Sequence, residues 1–205
     1  MNKERMAAFT DGVIAVIITI MVLELKPPHG ADMASLRSLA PTFGAYVLSF
    51  VYVAIYWNNH HHFFTLVKQV NGAILWANVH LLFWISLVPF ATAWMGEDLR
   101  APIPTAVYGL SLLMPALAWY LMQTVIIRHQ GADSLLRRAL GADLKGKLSP
   151  ALYLAGILAA FVNTYLADAF YVTVALIWLT PDRRVEKKVA ATGAVEDWES
   201  KTPND

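Results

Sequence analysis

The 205-residue chain has no cysteine and little charge. Without cysteine it has no disulfide framework and no thiol chemistry. Charged residues make up 15% of the chain, against about 25% in an average soluble domain. The net charge is only +1, so nothing points to a nucleic-acid partner. There is no HExxH pattern, no Cys/His spacing of a metal site and no nucleophile–base pair or cofactor motif, which argues against an enzyme. Sequence repeats, low-complexity tracts and a second domain are also missing. What remains is 57% hydrophobic, with seven Trp and eight Tyr. Those aromatics suit the two interfaces of a bilayer.

Apolar stretches of membrane length recur along the chain. They predict an all-α membrane protein with six transmembrane helices over about 7–25, 41–64, 74–95, 104–127, 150–164 and 166–180. Together these form one membrane domain over 1–181, followed by a polar tail over 182–205 with little to bury. Arg128–Ser149 sets Leu135, Leu136, Leu140, Leu144 and Leu148 among charges, a spacing that predicts an amphipathic surface helix. The last apolar stretch, 150–180, would be about 46 Å long as one helix at ~1.5 Å per residue. The hydrocarbon core is only about 30 Å thick. Asn163 and Asp168 lie near the middle of this stretch, and two short helices turning near them resolve both problems.

Charge placement supports the even count. With six helices both termini share a side, and thirteen of the sixteen Lys and Arg fall there. Only Lys26, Arg37 and Arg100 fall on the other. Basic loops stay in the cytoplasm, so both termini are expected there. A secretory signal peptide fits the start poorly. Asp11 sits at the front of its apolar core, and Glu24-Leu25-Lys26-Pro27-Pro28 offers no small-residue cleavage site.

The first helix carries a stripe. At ~100° per residue, Gly12, Val16, Thr19, Ile20 and Leu23 fall within a sector of roughly 100°. Asp11 lies about 100° away and Glu24 about 120° away on the opposite flank. Taken by periodicity alone, the stripe is a helix-packing face with small residues for close approach. Asp11 differs, because an ionisable residue inside a span needs a partner. The second span ends with Trp57-Asn58-Asn59-His60-His61-His62, and the third begins with Asn78 and His80. All are expected at the depth of Asp11, so Arg5 and Asp11 are expected in a polar cluster with them. The three histidines do not make a metal site, since neighbours on a helix fan out by about 100° each.

Arg5-x-x-x-Phe9-Thr10-Asp11, followed by Gly12-Val13-Ile14-Ala15-Val16, resembles the R-x-x-x-F-S-D signature of the transmembrane protein 175 family of potassium-permeable channels. "YWNNHHHFF" (56–64) and "NVHLLFWISLVPFATAW" (78–94) are similar to that family's second and third helices. The resemblance implies a homotetramer of six-helix subunits in a prokaryotic inner membrane, with no cofactor and potassium as the permeant ion. It also implies that the first helix lines the pore. The constriction would then fall on Val16, Ile20 and Leu23, with Gly12 on the same face and a hydroxyl layer at Thr19. Arg5, Phe9, Thr10 and Asp11 would hold a polar network, with His60, His61, Asn78 and His80 as its candidate partners. Two residues depart from the pattern. Thr10 replaces the usual Ser, and Val16 is smaller than the common Ile or Leu, which could shift the narrowest ring to Ile20 or Leu23. No TVGYG-type carbonyl filter occurs anywhere, so an apolar ring gating by dewetting takes its place. The competing readings are a secondary transporter, which usually shows repeats and broken midplane helices, and a proton-permeable channel.

Overall fold

The computed structural model describes residues 3–67, 69–131, 134, 136–137 and 143–179. In chain order the helices are α1 (Lys3–Leu23), α2 (Met33–Ser38), α3 (Ala40–Thr65), α4 (Gly72–Ile85), α5 (Val88–Glu97), α6 (Pro102–Gln130), α7 (Leu144–Ala160) and α8 (Thr164–Leu179). By length and composition four segments can cross a membrane: α1, α3, α4 with α5, and α6. Helix α8 is apolar but shorter.

Local chemistry sets the helix boundaries. Asn71 caps α4, its Oδ1 accepting from Ile74 N at 2.9 Å. Asp32 caps α2 in the same way, accepting from Ser35 N at 2.8 Å, and its bonds with Ser35 hold the carboxyl below the ordinary Asp range. The third apolar stretch, expected as a single helix over 74–95, is broken at 86–87. The cause is Pro89, in the first turn of α5. It has no N–H to bond the carbonyl of Ile85, and its ring crowds that carbonyl.

The end of the bundle also departs from expectation. The segment 128–149 is not one surface helix: α6 runs on through Gln130, and Leu144–Ser149 form the first turns of α7. Asp143 starts that helix, its carboxylate accepting from Gly146 N at 3.1 Å. Leu136 is buried with the residues of α1, α4 and α6 rather than lying on a surface. The turn between α7 and α8 falls at 161–163. There Asn163 Oδ1 accepts from Tyr165 N at 2.9 Å, while Asp168 lies inside α8. The tail over 182–205 is outside the described residues. So are Leu135, Leu140, Lys68, Arg138, Arg183, Arg184, Lys187, Lys188 and Lys201.

Two cores stack along the bundle. One joins Met6, Ile14, Ile17 and Met21 of α1 to Ile74, Leu81 and Ile85 of α4 and to Trp119, Met122 and Ile126 of α6. The other joins Tyr52 of α3 and Met95 of α5 to Tyr108 of α6, Tyr153 of α7, and Tyr171 and Val174 of α8. Its tyrosine hydroxyls are all partnered with protein where their bonds are known. Tyr108 shares a bond with Ser49 Oγ at 2.9 Å, Tyr52 donates to the Tyr171 carbonyl, and Tyr171 donates to the Thr105 carbonyl at 3.2 Å. Partnering of this kind is what an apolar medium demands of a hydroxyl.

Tyr171 lies against two glycines. A Cβ on Gly109 would run into the Tyr171 hydroxyl and Ile157, and one on Gly156 would come within 2.5 Å of a Tyr171 ring carbon. Gly109→Ala should therefore force α6 and α8 apart and cost about 1–3 kcal/mol, as overpacking does. A thermal melt of the purified protein in detergent should show a lower Tm for this variant. Gly44→Ala, where a Cβ meets nothing within 4 Å, should leave it unchanged.

Candidate pore-lining face and its polar clasp

Helix α1 has two opposite faces. Met6, Thr10, Ile14, Ile17 and Met21 are buried within the protomer. Their spacing of four, four, three and four places them on one face of a helix. Centred roughly 135° away around the helix lie Gly12, Val16, Thr19, Ile20 and Leu23, and all five are exposed. The contrast is sharp: Ile17 is 3% exposed and Leu23 74%. The stripe singled out in the sequence is thus not how α1 packs inside its own subunit.

Thr19 adds a polar layer to the exposed face. Its hydroxyl donates to the Ala15 carbonyl at 2.8 Å. That bond satisfies the hydroxyl proton inside the helix, and the oxygen keeps its lone pairs for an outside donor or cation. Gly12 leaves open space where a side chain would stand.

The polar residues sort themselves into a clasp and outliers. Asn78 of α4 is 1% exposed and bridges two other helices. Its Nδ2 donates to Thr10 Oγ1 of α1 at 2.9 Å. Its Oδ1 is 2.8 Å from Nε2 of His60 on α3, so in this arrangement the imidazole carries its proton on Nε2 and donates it. His60 is also buried, with its ring 4.3 Å from that of Phe64. Asp11 binds elsewhere: its Oδ1 accepts from Trp57 Nε1 of α3 at 3.0 Å. Thr10 thus reaches His60 of α3 through Asn78 and Asp11 reaches Trp57 of α3 directly; the two α3 residues lie three positions apart, about one helical turn.

Sequence reasoning brought together the right helices and some wrong pairs. Thr10, His60 and Asn78 meet, while Asp11 binds separately to Trp57. Arg5, Phe9, His61 and His80 are exposed on the protomer. His80 accepts from Trp84 Nε1 at 2.9 Å within α4, and His61 stacks on Trp57 at 6.3 Å. Trp84 was missed; an aromatic four residues after a histidine on a helix is the signal that could have found it. Among the described residues no group of three or more His, Asp or Glu converges as metal ligands would.

Comparison with known proteins gives this geometry a family context. The family described as "Endosomal/lysosomal potassium channel TMEM175" matches residues 5–89, which span α1, the clasp and the start of α5. A protein named a potassium channel in Chryseobacterium sp. (strain P1-3) is 53% identical over 189 residues, covering 92% of this chain and 98% of its own. A crystal structure titled a lysosomal potassium-selective channel TMEM175 homolog from Chamaesiphon minutus superposes with a TM-score of 0.77 at 30% identity. It covers 88% of this chain and 97% of its own. A human protein named an endosomal/lysosomal proton channel, TMEM175, is 29% identical over 114 residues, covering half of this chain and 23% of its own.

The clasp yields a direct test. Thr10→Val keeps the shape of the side chain and removes the acceptor for Asn78 Nδ2, stranding a buried donor. That should cost about 1–3 kcal/mol, seen as a lower Tm in detergent. Thr10→Ser retains the oxygen and should melt within a few degrees of the parent. A loss in Thr10→Ser with none in Thr10→Val would mean that the methyl group, and not the hydroxyl, holds α1 in place.

Proposed function

We propose a potassium-permeable channel from one premise: this chain belongs to the TMEM175 family. It is a multi-pass membrane protein of an ion-channel family, and nothing in that family context calls for an enzyme. The observation that carries the proposal is the exposed face of α1. Gly12, Val16, Thr19, Ile20 and Leu23 stay uncovered in the protomer although α1 is packed on its other side.

In this reading four copies surround an axis and each turns that face inward. Rings of Val16, Ile20 and Leu23 form a narrow apolar constriction, which water wets reluctantly and which gates by dewetting. The Thr19 layer offers four hydroxyl oxygens to an ion that has shed part of its hydration. Each subunit spans the membrane six times, with α4 and α5 together as one span, α7 and α8 as the last two, and both termini in the cytoplasm. The bias of thirteen of sixteen basic residues to one side supports that orientation. Helix α1 then runs outward, and four helix C-termini gather near Leu23, where their partial negative charge favours cations. Thr10 and Asp11, with Trp57, His60 and Asn78, form the scaffold that orients α1, and the exposed Arg5, Phe9, His61 and His80 stand beside it, open to a neighbouring copy. Asp11 and Thr10 act through α3 and α4, away from the axis.

Proton permeation is the second reading, favoured by the name that the human relative carries. Liposome flux separates the two. A potassium gradient alone should drive fast flux, and a pH-sensitive dye inside should report far slower proton entry when potassium is replaced by an impermeant cation.

The lack of native cysteine makes the pore wall directly testable. Single cysteines at Val16, Thr19, Ile20 and Leu23 should let a water-soluble thiol reagent block the current. Cysteines at Ile14 and Ile17, both 3% exposed on the packing face, should not. In the same recordings Leu23→Ser or Ile20→Asn should raise conductance and lower the preference for potassium over sodium. Block at every position, or none along the stripe, would remove α1 from the pore.

A further inference from the structure

Two further faces stay uncovered in the protomer, and both flank α1. Along α3, Phe43, Val47, Phe50 and Trp57 follow one another in steps of three, four or seven residues, and all are exposed. Along α4 and α5, Phe83, Leu87, Phe90 and Trp94 are exposed in steps of three and four. That spacing makes each set one stripe. The stripes point away from each other. Thr92 Oγ1 of α5 donates to Ser49 Oγ of α3 at 2.7 Å, which marks the seam between the two helices. Phe90 and Trp94 lie roughly 160° around α5 from Thr92, one on either side. Val47 and Phe43 lie roughly 160° and 120° around α3 from Ser49. Helix α1 packs on α3, α4 and α5. A protomer that turns α1 toward an axis therefore carries one stripe on each side.

Two bonds fix which residues share a depth. Thr42 Oγ1 donates to the Gly96 carbonyl at 2.8 Å, and His60 lies 2.8 Å from Asn78. In the antiparallel register that these bonds set, Phe43 is level with Trp94 and Met95, Val47 with Phe90 and Ala91, and Trp57 with His80 and Leu81. Rotation about an axis along the membrane normal leaves depth unchanged, so the same residues are level between copies. At the level of Phe43, α5 carries a groove of about 310 Å³ lined by Phe90, Ala93, Trp94 and Glu97. Phe43 is 55% exposed, a projecting ring at the depth of that groove. Toward the other end the stripes are polar. His80 Nε2 accepts from Trp84, so Nδ1 carries the proton in this arrangement. The Asp11 carboxylate, bonded once to Trp57 on the α3 flank, keeps further acceptor sites. Hydrocarbon satisfies neither group, whereas a donor on one flank level with an acceptor on the other suits a second copy.

We propose that neighbouring copies meet through unlike faces: the α3 stripe of one packs on the α4–α5 stripe of the next, with Phe43 in the groove of α5 and His80 Nδ1 toward Asp11. This rests on the reading of α1 as the pore wall and adds the surfaces that close the ring around it. A contact between unlike faces closes into a ring when its rotation fits.

The test is crosslinking in cell membranes, with the whole chain. No native cysteine interferes. Phe43→Cys is paired with Trp94→Cys, and Val47→Cys with Phe90→Cys one turn deeper, and each double variant is treated with a short bis-maleimide. All four positions are exposed on the protomer, so elution profiles before crosslinking should match the parent. Denaturing gels should then show dimer, trimer and tetramer and nothing larger. Each single-cysteine variant should stay monomeric, because in a contact between unlike faces a residue does not meet its own copy. Where Trp94→Cys fails to fold, the deeper pair decides. Dimers from single cysteines would mean a two-fold contact. Absence of crosslinks in a folded pair would mean that lipid covers the stripes. Either result overturns the proposal. A ladder ending at tetramer without potassium flux would support these surfaces and count against the channel reading alone. Potassium flux with no ladder would count against these surfaces alone.

Discussion

One buried amide holds α1 in place. Asn78 of α4 donates from its NH2 to Thr10 of α1 and accepts a hydrogen bond from His60 of α3. Inside a bilayer each of those groups would otherwise be stranded, at a cost of several kcal/mol. The three helices are therefore committed to one mutual register. Apolar contacts alone would not fix it, because lipid tails compete for the same side chains and van der Waals packing discriminates weakly between neighbouring registers. Trp57 and Asp11 add a second tie on the same side. Everything that α1 presents on its opposite face follows from this anchoring.

The second core uses the same rule with different residues. Tyr52, Tyr108 and Tyr171 span α3, α6 and α8, and each ends on an oxygen of another segment. Tyr171 fits between Gly109 and Gly156 because neither carries a side chain. Tyrosine suits this position: its ring fills a core between helices and its hydroxyl fixes their rotation. The two halves of the bundle are thus each pinned by polar bonds inside an apolar interior, and α6 runs through both.

The parts legible in the sequence were those with a local signal. The stripe on α1 could be found from spacing, since period 3.6 is a property of a single helix. Its opposite face could also have been listed from Met6, Thr10, Ile14, Ile17 and Met21, but periodicity cannot say which face a subunit buries when both are apolar. That choice lies in Thr10, whose hydroxyl needs Asn78, a residue 68 positions away. Partner choice in the clasp was illegible for the same reason. Arg5 and Asp11 were expected in one polar cluster with the ends of α3 and α4, yet Asp11 takes an indole from α3 and Arg5 stays exposed. The break at 86–87 was written in Pro89, although a run of apolar residues masked it. Asp143 likewise marked the start of α7, and the amphipathic spacing of the leucines around it pointed to a surface helix instead.

Exposure alone does not distinguish a pore wall from a lipid-facing surface, because Val, Ile and Leu suit both. The polar atoms on and beside the stripe are what the proposed assembly would satisfy. Asp11 is an exposed carboxylate on the protomer, with one oxygen bonded to an indole that is itself 45% exposed. Thr19 turns an oxygen outward at mid-helix. Each has one partner inside the protomer, but lipid offers nothing to the remaining acceptor sites, and a carboxylate facing hydrocarbon costs at least a few kcal/mol. Water along an axis, or a neighbouring copy of the same surface, removes that cost. The face of α1 that folding leaves bare is therefore one that a lone protomer in lipid cannot keep bare. Under the proposed assembly, Thr19 meets water at the axis, and Asp11, set away from it, is covered by its α3 partner and a neighbouring copy.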